Sequence, residues 1–228
     1  QMCIRDRFSI LSGATSIVLL FKIFERENVS RRIQKILLII YAILLGSPIL
    51  EGNIANSEVF FITINLAILY VALYLKRPLL VGFLLYLSFL IKPQSFAEGL
   101  SIIGAFLIFE LCHREFKSNY KYYIKLTVAF LIPCLLYFIY LFSQGSLLAF
   151  LDAAFITNFL YIGGEGSFLS PWNFGKITIT LILLSFAVYA QKKEKLNKVE
   201  FILAVELLAS LFLVTLSGRL YPHYWIQI

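Results

Sequence analysis

Charged residues and catalytic motifs are both scarce in this chain. Only 14% of its 228 residues are Asp, Glu, Lys or Arg. The sequence contains no Gly-rich phosphate loop, no Ser/His/Asp arrangement and no CxxC or HExxH motif. Its three cysteines, Cys3, Cys112 and Cys134, have neither metal-ligand spacing nor the pattern of a disulfide framework. These absences argue against the mechanisms of soluble enzymes.

Apolar residues dominate instead. They make up 60% of the chain, whose mean hydropathy is +0.85, whereas a soluble domain is about 45–50% apolar. An open sheet would leave backbone groups unpaired in lipid, and the alternation of a membrane barrel is absent. The sequence therefore predicts an all-α polytopic membrane protein with about eight transmembrane helices. The predicted spans are roughly 8–24, 33–50, 59–75, 79–91, 96–111, 124–142, 176–190 and 199–216.

Both ends of the chain are expected to be incomplete. The opening QMCIRDR, residues 1–7, resembles a translated sequencing-adaptor remnant and is set aside from fold reasoning. The closing HYWIQI stops as a new apolar run begins. We therefore expect residues 8–228 to form a transmembrane domain that belongs to a longer protein.

The net charge of +7 is explained by where the basic residues lie. One set of connections holds fourteen lysines and arginines, and the other, counted with Lys176 at its border, holds three. The positive-inside rule places the first set in the cytoplasm, and all eight spans fit that alternation. Nucleic-acid binding is therefore not expected. The basic connections are 25–35, 76–78, 112–125 and 191–198, and the outer ones are 51–58, 92–95, 143–175 and 217–225.

The longest outer connection contains a second kind of apolar segment. Residues 147–162, LLAFLDAAFITNFLYI, carry only one charge, at Asp152. The segment could be a helix lying along the outer membrane face, or it could be an ordinary surface loop. The glycines that follow in GGEGS predict a flexible link.

Lys92 is the most informative polar residue. It ends the span 79–91, whose 13 residues extend only about 20 Å at about 1.5 Å per residue. Pro93 stops the helix and restricts Lys92 to extended angles. Either Lys92 is a cation held in a broken-helix corner of the outer leaflet, or it is a lysine that snorkels from a helix end.

Arg219 and His223 lie in the last outer stretch, SGRLYPHYW. On one helix they would share a face, because they are four residues apart. Arginine suits bidentate contact with phosphate, and histidine can donate to an anion or bind a metal. The alternative is an aromatic belt at the headgroup level with one arginine beside it.

Glu58 begins the third span in the sequence NSE. A carboxylate there could bind a metal or orient a hydroxyl acceptor. It could equally be an acid that the dipole of the helix N-terminus favours.

Among other charged residues, Glu206 lies in the middle of a span and is expected to face the bundle interior. Glu110 and Lys22 lie near inner ends, where both can snorkel.

Three stretches resemble motifs of the GT-C superfamily of integral-membrane glycosyltransferases. They are NSEVF (56–60), GFLLYLSFLIKPQS (82–95) and SGRLYPHYWIQI (217–228), in the order that the family has them. The similarity is closest to the branch of protein mannosyltransferases, lipid A aminoarabinose transferases and their bacterial relatives. It covers most of the chain after Phe8.

The resemblance implies an enzyme that moves a sugar from a polyprenyl-phosphate carrier to a lipid, glycan or protein acceptor at the extracytoplasmic face. In that interpretation Lys92 and Arg219 bind the carrier phosphate, and Glu58 and His223 are candidate catalytic residues. A divalent metal is an open possibility, and no other cofactor is expected. The localisation implied is a bacterial inner membrane.

One departure from the family pattern matters. The family's usual catalytic acid lies in the first outer loop, and no residue of this chain matches it, so the chain by itself is expected to be inactive. Two other functions stay open. A polymerase or ligase of surface polysaccharides would use similar outer-face cations, and a lipid or solute transporter would instead need polar sites near the bilayer midplane.

Overall fold

The computed structural model describes residues 4–48, 57–157, 171–193 and 195–216. Every regular element in these ranges is helical, and they contain no strand. The helices are α1 (Ile4–Arg26), α2 (Arg31–Gly46), α3 (Ser57–Tyr70), α4 (Pro78–Ile91), α5 (Pro93–Cys112), α6 (Phe116–Ser143), α7 (Leu147–Leu151), α8 (Pro171–Lys192) and α9 (Lys198–Leu216). Two π-helical segments, Val71–Leu75 and Asp152–Ile156, continue α3 and α7.

All eight predicted spans coincide with helices, so the all-helical prediction is confirmed. Within the described ranges, four helical segments are long and apolar enough to cross a membrane: Asp6–Arg26, Ser57–Leu75, Ser95–Cys112 and Phe116–Ser143. The structure thus supports fewer spans by these criteria than the eight predicted. It is compatible with a membrane protein. Helix α1 also begins inside the segment that was set aside as a remnant.

The chain divides into two compact units. The described part of the first comprises residues 4–48 and 57–76, with helices α1 to α3 and the π-helical segment Val71–Leu75. Helix α1 packs against both α2 and α3. Leu45, Phe61 and Ile62 form a buried cluster. Between α1 and α3, Ser12 Oγ and Thr63 Oγ1 form a hydrogen bond of 2.8 Å.

The second unit holds residues 77–220, with helices α4 to α9 in its described part. Helix α4 packs most extensively against α6, and α9 packs against α5 and α8. Val81, Leu85 and Phe89 of α4 are buried, as are Phe201 and Ile202 of α9.

Non-glycine residues in the left-handed conformation end three of the helical segments. They are Asn28, Lys76 and Arg114, with φ of 55°, 50° and 60°. After α1 and α5 the amide three residues past the helix end bonds back over a full turn, from Val29 to the Phe24 carbonyl at 3.0 Å and from Glu115 to the Glu110 carbonyl at 2.8 Å. Such bonds satisfy carbonyls that a helix end would otherwise leave unpaired.

Candidate functional site

The Lys92 corner, which we define as Ser88 to Ser95, joins α4 to α5 with a single extended residue. Lys92 has φ −161° and ψ 123°, between the end of α4 at Ile91 and the start of α5 at Pro93. This conformation is the one that a following proline favours. The predicted broken-helix corner is therefore confirmed as backbone geometry, while its depth in a membrane stays a prediction.

Two serines hold this corner. The Lys92 amide donates to the Ser88 carbonyl at 3.2 Å, and the Ser95 amide donates to the Lys92 carbonyl at 3.0 Å. Ser95 Oγ lies 2.7 Å from the Ser88 carbonyl oxygen, 2.8 Å from the Lys92 carbonyl oxygen and 2.9 Å from Ser88 Oγ. Both serines are completely buried, whereas Lys92 is partly exposed. The backbone at Lys92 is thus fixed by buried hydrogen bonds on both sides.

An aromatic cluster adjoins the Lys92 corner. Phe96 stacks on Phe130 with ring centroids 4.8 Å apart, and the Phe89 ring lies 5.8 Å from that of Phe96. Phe89 also contacts the rings of Phe138, Phe150 and Phe155 at 6.2–6.4 Å. Such ring pairs stabilise packing beyond the area they bury. The cluster connects α4, α5 and α6 with the segment Leu147–Ile156.

The segment Leu147–Ile156 is helical, as the first of the two alternatives for residues 147–162 requires of this part. Phe150 contacts Tyr137 of α6 edge-on at 5.6 Å, in addition to its contact with Phe89. Residues 158–162 and the following GGEGS lie outside the described residues. A position along the membrane surface stays a prediction for this helix.

Glu58 lies in the first turn of α3, in the first unit. It is only 2% exposed, and Ser57 Oγ donates to its Oε2 at 3.0 Å. A carboxylate in the first turn is favoured by the helix dipole, as one of the two interpretations predicted. Burial to this degree also requires hydrogen bonds to compensate for lost hydration. The catalytic role of Glu58 stays a prediction.

The structure describes two of the four predicted site residues. Lys92 lies in the second unit and Glu58 in the first. Arg219 and His223 lie outside the described residues. Within the described ranges, no group of three or more His, Cys, Asp or Glu side chains could hold a metal ion. The predicted site as a whole therefore stays a prediction, and so does the possibility that it binds a divalent metal.

The second unit contains a polar pair of which only Glu206 was predicted, as a residue that faces the bundle interior. Ser101 Oγ of α5 donates to Glu206 Oε2 of α9. This contact confirms that Glu206 faces the bundle interior. The pair borders an apolar cavity of about 230 Å³ between α5, α8 and α9, which Ser101, Ala105, Thr180 and Val205 help to line.

The environment of Glu110 was not predicted. This residue is 7% exposed; Tyr123 of α6 donates a hydrogen bond of 2.9 Å to its Oε2, and Lys198 Nζ of α9 lies 3.8 Å from its Oε1. The same Nζ lies 4.8 Å from the Phe106 ring centroid and 5.3 Å from that of Phe109. Glu110 therefore contacts two other helices, and the expectation that it snorkels is wrong.

We expect Glu110→Leu to lower the free energy of unfolding by about 1–3 kcal/mol, because the Tyr123 hydroxyl loses its acceptor and Lys198 loses its charge partner. Glu110→Gln should cost less, since it keeps an acceptor. The double variant Glu110→Leu/Tyr123→Phe should recover part of the loss. The exposed Glu115→Gln is the matched control. Thermal unfolding in detergent measures the stability of all four variants. A loss in the double variant that equals the sum of the losses of its two single substitutions would contradict this account.

Comparison of the chain with protein-family models, with curated proteins and with solved structures gives no match.

Proposed function

We propose that this chain belongs to a membrane glycosyltransferase of the GT-C type, which takes a sugar from a polyprenyl-phosphate carrier. The observation that carries the proposal is the Lys92 corner. There a lysine sits in extended backbone held by two buried serines, directly before the first turn of the 20-residue helix α5. A helix N-terminus attracts anions through its dipole. A phosphate at this corner would meet both the lysine and the helix end.

The aromatic cluster supports a lipid carrier over a soluble one. Its rings give the corner an apolar side, formed by α4, α5, α6 and the helix Leu147–Ile156. A long-chain isoprenoid phosphate needs a cation for its head and an apolar surface for its tail. The Lys92 corner and the aromatic cluster offer these two properties side by side.

The proposed reaction assigns roles to the four site residues. The bond between the anomeric carbon and the carrier phosphate breaks, its electron pair stays on the phosphate oxygen, and an acceptor oxygen bonds to that carbon. Lys92 and Arg219 stabilise the charge that develops on the phosphate. Glu58 and His223 orient the acceptor or hold a metal. The acceptor's proton goes to the carboxylate base that the family resemblance implies in an outer loop.

The proposal includes a topology with more spans than the four that length and composition identify. In it, α2, α4, α8 and α9 cross the membrane as well, and the basic connections face the cytoplasm of a bacterial cell. Lys92 then lies toward the extracytoplasmic face. Because α4 is short, the proposed topology puts Lys92 below the outer surface, at the depth of a lipid phosphate.

Assays of sugar transfer and of lipid or solute transport distinguish the two candidate functions. The Ser101–Glu206 pair beside the cavity of about 230 Å³ favours transport as the second candidate. In the intact protein we expect sugar transfer from a polyprenyl-phosphate donor, with Glu206→Gln retaining most of the turnover. Loss of lipid or solute flux in Glu206→Gln, in a protein that shows no sugar transfer, would establish transport instead.

A further inference from the structure

Helix α6 carries a groove at its basic end that the proposed function does not use. It is a shallow groove, open to the surroundings, whose lining residues all belong to α6, and its apolar and aromatic side chains include Phe116, Tyr120, Ile124 and Val128. Lys117 also lines it. The groove begins at the first turn of α6, in the connection that the positive-inside rule places in the cytoplasm.

An exposed apolar stripe continues from this groove along α6. Its large side chains recur every three or four residues and therefore share one helix face. From Tyr120 to Ile139 the stripe is about 28 Å long at about 1.5 Å per residue, close to the roughly 30 Å of a bilayer's hydrocarbon core. The exposed residues of the stripe are Tyr120, Ile124, Val128, Leu131, Leu135 and Ile139. Each leaflet contributes about half of the hydrocarbon thickness, so an acyl chain of an inner-leaflet lipid fits the first half of the stripe, from Tyr120 to about Leu131.

The cations at the head of the stripe are available to a ligand. Lys117, Lys121 and Lys125 are exposed. Within the part of the chain that the structure describes, none of the three forms an ion pair. Tyr123, which also lines the groove, is held by its hydrogen bond to Glu110. The hydrogen bond therefore fixes the position of the groove's Tyr123 side. The charge of the three lysines is not neutralised by an ion pair within the described residues.

We propose that this groove is a binding site for an anionic phospholipid of the cytoplasmic leaflet. The phosphate contacts Lys117 and Lys121, and an acyl chain lies along the stripe from Tyr120 to about Leu131, near the bilayer midplane. The charge argues for an anionic headgroup, because basic residues at the inner end of a membrane helix attract anionic lipids. The site requires α6 to cross a membrane, and it does not depend on the glycosyltransferase proposal.

The test is lipid preference in the intact protein reconstituted in phosphatidylcholine vesicles. Spin-labelled phosphatidylglycerol and spin-labelled phosphatidylcholine report the relative association constant of the two lipids. We expect wild type to prefer phosphatidylglycerol, and each lysine removed to lower the preference about fivefold at low salt. Lys117→Gln/Lys121→Gln should therefore lose about 25-fold or revert to no preference.

Two controls separate a specific site from general charge. Arg32→Gln/Lys35→Gln removes the same charge from the start of α2, on the same predicted side, and should retain the preference. Lys92→Ala should also retain it, since the carrier site is a different one. The proposal is overturned if the α6 variant keeps the preference, if the α2 variant loses it equally, or if Lys92→Ala alone removes it. It is also overturned if wild type shows no preference, as expected for a groove that binds a protein or a second copy of this chain.

Discussion

Replacing Gly82 with alanine is expected to separate α4 from α6 and to destabilise the second unit by at least about 2 kcal/mol. A Cβ at Gly82 would lie 2.2 Å from the Leu126 carbonyl oxygen, 2.8 Å from Ala129 Cβ and 3.0 Å from the Phe130 amide nitrogen. Two of these atoms belong to the backbone of α6, so a side-chain rotation cannot relieve the clash. The gain in helix propensity from alanine, about 0.5–1 kcal/mol, offsets only part of the cost. A leucine at this position should prevent α4 and α6 from packing at all.

Gly104→Ala is the matched control for this prediction. Gly104 lies inside α5, and nothing lies within 4 Å of a Cβ built there. Alanine should therefore be neutral or slightly stabilising at Gly104. The readout is Cys134 of α6, which is 5% exposed and becomes reactive to a fluorogenic maleimide when α6 loses its packing. In a Cys3→Ser/Cys112→Ser background, equal labelling temperatures for the two glycine variants would contradict the close approach of α4 and α6.

Lys92→Ala should reduce sugar transfer by the intact protein about 100-fold, the loss typical when one group that stabilises developing charge is removed. The corner should survive the substitution, because its backbone hydrogen bonds run through Ser88 and Ser95 rather than through the lysine side chain. Lys92→Arg should retain part of the activity, since arginine also carries a positive charge to the phosphate.

Lys176→Ala is the control for Lys92→Ala. Lys176 is predicted to lie on the same outer side, at the border of the span 176–190. Its removal changes the net charge equally but leaves the Lys92 corner intact, so transfer should change less than threefold. Equal losses in the two variants would point to a general effect of outer-face charge, and the specific role of Lys92 would be wrong.

Much of the fold could be predicted because apolar length and proline are local signals. Each apolar span became a helix, since a long hydrophobic run has no other stable way to cover its backbone in lipid. The Lys92 corner was predicted from the Lys92–Pro93 pair, because a proline disfavours helical angles for the residue before it, although Pro133 stands inside α6 without ending that helix. The close approach at Gly82 has no comparable local signal. Gly104 also stands inside an apolar helix, yet a Cβ built there would meet nothing within 4 Å.

Contacts between distant residues could not be predicted in the same way. Glu110 was expected to snorkel because it lies near a helix end, yet its partners come from α6 and α9. No periodicity in a single helix specifies such partners, since they depend on how the helices pack. The left-handed helix ends at Asn28, Lys76 and Arg114 were also missed. Glycine is the usual residue at such helix ends, and these three ends have no glycine, so their left-handed conformation could not be predicted from the sequence.

The measurement that tests the central claim most directly is binding of radiolabelled polyprenyl phosphate to the intact purified protein. Wild type and Lys176→Ala should bind it saturably with similar affinity, whereas Lys92→Ala should lose most of that binding while its Cys134 labelling temperature stays unchanged. Undiminished binding by Lys92→Ala would contradict the claim that this corner holds the carrier phosphate.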